Sequence, residues 1–146
     1  MVDAYVRATG NVTVLERALP LLHKELEWFE TNRTMWVTSP FTGRQHRVAH
    51  WNVHNSAPRP EGYVEDYNTA NGATPPLNVS QRSDLYAELA SGAESGWDYS
   101  SRWMKEPLLN KTDNQVVLRT INIRQMIPVD LTSLLAGDHS LVSPQP

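Results

Sequence analysis

The chain contains no cysteine, which excludes disulfides and thiolate chemistry and leaves the redox compartment open. It has no basic excess. A net charge of −3 removes the electrostatic footprint of a nucleic-acid partner. No apolar run approaches a membrane span, so no membrane partner is expected. No charged leader, apolar core and cleavage site open the sequence, so no signal peptide is visible. There is no P-loop, no GxGxxG and no GxSxG, so nucleotide and serine-hydrolase chemistry have no foothold. Internal repeats and low-complexity tracts are absent too.

What is present reads as globular. With 146 residues, 40% apolar and 20% charged, the chain can bury one modest core. Four N-x-[ST] sequons, at Asn11, Asn32, Asn78 and Asn110, lean toward a secreted or vacuolar parent protein.

Val2 to Thr9 reads as the end of a helix closed by Gly10. Asn11 or Thr13 can cap the next helix, which runs to about Thr31. Val14, Leu15, Ala18, Leu21, Leu22, Leu26 and Phe29 recur there at helical spacing. Pro20 inside it predicts a kink or a local break. Thr34 to Thr38 and His46 to Val53 read as a hairpin around the turn residues from Ser39 to Gly43. Tyr63 to Ala70 suits a short helix, and Asn71 to Asn78 a loop. Ser80 can cap a helix from Gln81 to Ala93, ended by Gly96. Asn110 to Gln115 reads as a polar loop, and Val116 to Ile123 as a strand or extended segment. Asp130 caps a last helix, Leu131 to Ala136, and Leu141 to Pro146 reads as a frayed tail.

Two stretches carry candidate chemistry. In the second, Asp98 stands between Trp97 and Tyr99, with Trp103 close by. A carboxyl packed on Trp97 and Trp103 would lose solvation, and its pKa would rise into the range of a general acid. The plainer role is an Asp that caps the turn Tyr99-Ser100-Ser101. In the first, Pro58 and Pro60 fix the backbone around Arg59 and Glu61. That suits a preformed clamp on sugar hydroxyls, or simply an ion pair of Arg59 with Glu61 or Glu65. His46, His50 and His54 repeat every four residues, but a strand and loop spread such a set too far for a metal. Trp28, Trp36 and Trp51 suit core or hairpin packing better than sugar platforms.

PRPEGYVEDYNTA (58–70) followed by ESGWDYSSRW (94–103) resembles the α,α-trehalases, a family of inverting glycoside hydrolases. The helix ERALPLLHKELEWFETNR (16–33) and the segment RTINIRQMIPVDLTSLL (119–135) look like the family's as well. The resemblance covers residues 1–136, with 137–146 left as a non-homologous or disordered tail. It implies a mainly α fold: part of an (α/α)6 barrel with a small β-hairpin and long active-site loops. Asp98 matches the general acid, Gly96 a substrate-contacting backbone position, and Arg59, Pro60 and Glu61 the substrate-binding R-P-E element. Gly62 stands where the family usually has serine, and Tyr99 where it often has phenylalanine.

The implied substrate is α,α-trehalose, cleaved to two glucose molecules without metal or organic cofactor. An inverting mechanism needs a second carboxylate roughly 6.5–9.5 Å from the acid. In the family that base is a glutamate far downstream of the acid, beyond the region covered here. The expectation is therefore an internal piece of the catalytic domain, inactive alone. Two alternatives remain at this level: a non-catalytic sugar-binding remnant, and a helical interaction module.

Overall fold

Helical periodicity dominates the sequence, and the computed structural model is mainly helical. It describes residues 1–105 and 113–143. The backbone divides into two units, Met1–Ala49 with the stretch from Ile127 onward, and His50–Met126.

In the first unit, α1 (Val2–Thr9) ends at Gly10 and α2 (Val12–Asn32) begins at Asn11. Asn11 Oδ1 accepts the Val14 N–H at 3.3 Å and so satisfies one open donor of the first turn. Pro20 does not break α2, which is continuous through it. Pro20 lies on the exposed side, while Leu15, Leu19, Leu22, Leu26 and Phe29 share one apolar face. Burial along that face carries the helix past the one missing backbone hydrogen bond. The hairpin pairs β1 (Thr34–Thr38) with β2 (Gln45–Ala49), antiparallel, with Thr34 opposite Ala49. The second strand is shorter than the sequence suggests, stopping before His50.

The last helix, α6, spans Val129–Val142. It begins one residue before Asp130, which lies in its first turn rather than at the cap. It also continues beyond Ala136, because Leu135, Leu141 and Val142 line the same apolar groove as α2. That groove holds about 420 Å³. Glu30 ties the unit together, with Oε1 3.2 Å from both Arg47 Nη2 and His139 Nε2. Trp36 departs from the packing role expected of it and is largely exposed, whereas the half-exposed Trp28 packs edge-on with Phe29 and under the Arg33 guanidinium.

In the second unit, α3 (Tyr63–Asn71) and α4 (Val79–Glu94) pack together. The N-cap of α4 is Asn78, not Ser80. Asn78 Oδ1 accepts the Gln81 N–H and Gln81 Oε1 accepts the Asn78 N–H, both at 2.9 Å. This reciprocal capping box satisfies two donors with one pair of side chains. Val116 to Ile123 is not a strand. Asp113 caps a one-turn helix, α5 (Asn114–Leu118), and the extended part shrinks to a bridge between Met104 and Ile121. The core is Ala70, Leu85, Tyr86, Leu89, Trp103, Ile121 and Ile123, with Trp51 packed against it. The Asn110 sequon and the end of the expected tail lie outside the described residues. No described helix is long and apolar enough to cross a membrane.

Candidate active site

The site is built in the second unit from two turns. The first follows from proline chemistry. Pro60 forces Arg59 into an extended conformation, φ −64° and ψ 140°. A 3-10 turn, Pro60–Gly62, then leads directly into α3. The first turn of α3 carries Glu65 and Asp66, where the helix's positive end favours acids. Asp66 is buried. It faces back along the chain and accepts three N–H groups of Arg59. Oδ2 takes the backbone N–H at 3.1 Å and Nε–H at 2.8 Å, and Oδ1 takes Nη2–H at 2.8 Å.

Of the two acids read from the sequence as partners of Arg59, Glu61 pairs with it only loosely, its Oε1 4.0 Å from Nη1, and the close partner is Asp66. Asp66 wins because one helical turn brings it over the Arg59 backbone, while Glu61 points outward and is mostly exposed. The hydrogen bonds to Asp66 raise the Arg59 pKa, so its charge is permanent.

The second turn ends α4. Ser95 Oγ donates to Gly92 O at 2.6 Å and accepts the Trp97 N–H at 3.1 Å. Gly96 follows at φ +72°, the left-handed conformation that glycine takes without steric cost. Asp98 adopts φ +45°, the one non-glycine residue at positive φ among those described. Aspartate tolerates this region better than most residues, but a strained backbone here is a feature seen at functional sites.

The environment expected for Asp98 is not what the structure holds. Asp98 is exposed, and no tryptophan sandwich surrounds it. The group between the two indoles is Arg102, whose Cζ lies 4.1 Å from the Trp97 ring centre and 5.5 Å from that of Trp103. A guanidinium gains from an aromatic face, whereas a carboxylate is repelled by it.

The two turns meet at Tyr99. Arg59 Cζ lies 5.6 Å from its ring centre, and its phenol donates weakly to Leu89 O at 3.4 Å. Burial pushes the phenol up to about 12, against the pull of Arg59; the nearby charges of Asp66, Asp98 and Glu61 add to the rise. One ring therefore senses Arg59, Glu61 and Asp98 together, although 39 positions separate the arginine from the aspartate. Pro60 and Gly96 lie on the exposed surface of the same two turns.

The arrangement can bind hydroxyls. Nη1 of Arg59 and Oε1 of Glu61 form a donor and acceptor 4.0 Å apart, a gap that one hydroxyl can bridge. The histidines go elsewhere: His50 Nδ1 meets Arg124 O at 3.0 Å, and His54 Nε2 lies 3.5 Å from Asn52. Sequence reasoning missed Asp66 and Tyr99 as parts of the site. An acid one helical turn past the R-P-E triplet was the available signal for the first.

Comparison with known proteins gives the family. The family model described as Trehalase matches residues 1–144. The chain is 39% identical to a trehalase of Dictyostelium discoideum over 98% of its own length and 23% of that protein's. It is 39% identical to a trehalase of Apis mellifera over 92% of its length and 20% of that protein's. The trehalase of Oryctolagus cuniculus is 36% identical over 98% of the chain and 23% of that protein. These matches place the chain among glycoside hydrolases. It belongs to the trehalase family, and it spans between a fifth and a quarter of the length of these relatives.

Proposed function

We propose that this chain supplies the general acid and one hydroxyl clamp of an enzyme that hydrolyses α,α-trehalose to two glucose molecules with inversion. Asp98 protonates the glycosidic oxygen as it leaves. Arg59 donates to, and Glu61 accepts from, glucose hydroxyls, and the Gly96 backbone lies against the sugar. The reading is carried by one observation: Arg59, in the first turn, lies against the ring of Tyr99, the residue that follows Asp98 in the second.

Exposure of Asp98 fits this reading once the rest of the protein is considered. A carboxyl becomes a useful acid near neutral pH only when desolvated. Here the substrate and residues outside this chain are the desolvating groups. The second carboxylate of an inverting reaction is assigned outside this chain as well. Asp66 is committed to Arg59, and Glu61 to hydroxyl binding. The exposed Leu21, Trp28, Trp36 and Leu134 support burial against further helices of an (α/α)6 barrel.

Calorimetric titration of trehalose into the chain tests the clamp. Weak binding without glucose release is expected, lost on Arg59→Ala. Binding unchanged in Arg59→Ala and in Asp98→Asn removes the reading. The acid is tested in a full-length trehalase carrying this segment. Asp98→Asn is expected to lower kcat on trehalose by about 10²–10⁴-fold. α-Glucosyl fluoride, whose leaving group needs no proton, is expected to retain far more of its rate.

A further inference from the structure

Arginine carries five N–H donors in a rigid planar fork, so fixing one edge fixes where the other points. In Arg59 the Nε/Nη2 edge is fully engaged by Asp66, at 2.8 Å for each bond. Both side chains are largely withdrawn from water, Asp66 at 3% exposure and Arg59 at 14%. The edge left over is Nη1, which faces Glu61. The guanidinium carbon lies over the Tyr99 ring, 5.6 Å from its centre. The Gly62 backbone lies close to the same group: a Cβ there would stand 2.9 Å from Nη2 and 3.4 Å from Cζ.

We propose that Asp66 is the positioning residue of the sugar clamp: it locks Arg59 on Tyr99 so that only the Nη1 edge is offered to a substrate hydroxyl. This rests on the assignment of Arg59 to sugar binding and adds the group that aims it. Stability alone does not call for a buried pair here, because well-packed apolar residues often replace such pairs at no cost. A defined direction for Nη1 does call for it. A free arginine side chain samples many rotamers, and the two hydrogen bonds to Asp66 remove that freedom before the sugar arrives.

The test uses the 146-residue chain and reads the arginine directly. The Arg59 Nε–H resonance in nitrogen-15 spectra is expected to exchange slowly with water in the native chain. In Asp66→Asn it is expected to exchange rapidly, while the methyl signals of Ile121 and Ile123 stay in place. Trehalose affinity, measured by calorimetry on the same samples, is expected to fall by about tenfold, the scale of one charge-assisted hydrogen bond. Asp66→Glu is expected to recover part of both. That variant keeps the charge but displaces the carboxylate, so an exchange rate between those of the native chain and a freely exposed arginine, and an affinity between those of the native chain and Arg59→Ala, are expected; it serves if Asp66→Asn does not fold.

Slow exchange persisting in Asp66→Asn overturns the proposal. So does unchanged trehalose affinity after protection is lost. A native chain that shows a protected Arg59 but binds no trehalose sinks the sugar-binding assignment, while the exchange data still decide whether Asp66 holds the arginine.

Discussion

A Cβ on Gly92 would stand 3.0 Å from Cε1 of Tyr99 and 3.2 Å from the carbonyl oxygen of Asp98. The last turns of α4 therefore pack directly under the turn that carries the proposed acid. Gly92→Ala tests how tight this is. Alanine favours the helix by about 1 kcal/mol, but crowding of this kind costs about 1–3 kcal/mol. The expected net effect is a loss of about 1 kcal/mol in urea unfolding. Trehalose affinity falls with it, because Asp98 and Tyr99 are displaced together. A stabilised variant with native affinity would show that the turn yields freely.

Ser91 is fully buried and does two jobs. Its hydroxyl donates to Ala87 O at 2.8 Å and accepts the Val53 N–H at 2.9 Å. Ser91→Ala leaves that amide without its partner in the interior. Destabilisation of about 1–3 kcal/mol is expected by urea unfolding, with faster hydrogen exchange at Val53.

The positive φ of Asp98 separates its chemistry from its backbone. Glycine accepts this conformation freely and valine does not. Asp98→Gly is expected to unfold within about 1 kcal/mol of the native chain, whereas Asp98→Val loses about 1–2 kcal/mol. Thermal melts of the two variants decide this. Equal losses in both would argue against strain at this residue.

Tyr99 makes stability pH-dependent in alkali. Its phenol titrates at about 12 in the folded chain, above the ordinary value of 10.0. Because the folded value is raised, the contribution of this group is complete below pH 10 and is lost as the pH climbs toward 12. Unfolded chains ionise first across that window, and the equilibrium moves toward them. Tyr99→Phe removes the ionisation, so its urea midpoint is expected to fall less steeply than the native one between pH 10 and 12. Parallel slopes in the two proteins would contradict the burial of this phenol.

Much of the architecture was legible from local signals. Asn11 and Gly10 punctuate the first two helices because caps and stops are chemistry of single residues. The apolar period of α2 outweighed Pro20, since burial of a whole face exceeds one lost hydrogen bond. Reading failed where two local cues compete. The valines at 116 and 117 favour a strand, but the Asp113 cap turns them into helix. Gln81 reciprocates with Asn78, which moves the start of α4 away from Ser80.

Within the site, the family resemblance and the residue types Arg59, Glu61, Gly96 and Asp98 came from the sequence by itself, because motif chemistry is a matter of which groups stand at which positions. Their environment did not. Whether an exposed turn puts its carboxylate or its guanidinium between two indoles depends on contacts among Trp97, Arg102 and Trp103 that no spacing encodes. Likewise, that Asp66 rather than Glu61 or Glu65 is the close, buried partner of Arg59 depends on the direction in which the first turn of α3 leaves Gly62. Only packing in three dimensions sets that direction, since the strength of an ion pair is decided by distance and burial, and neither is written along the chain.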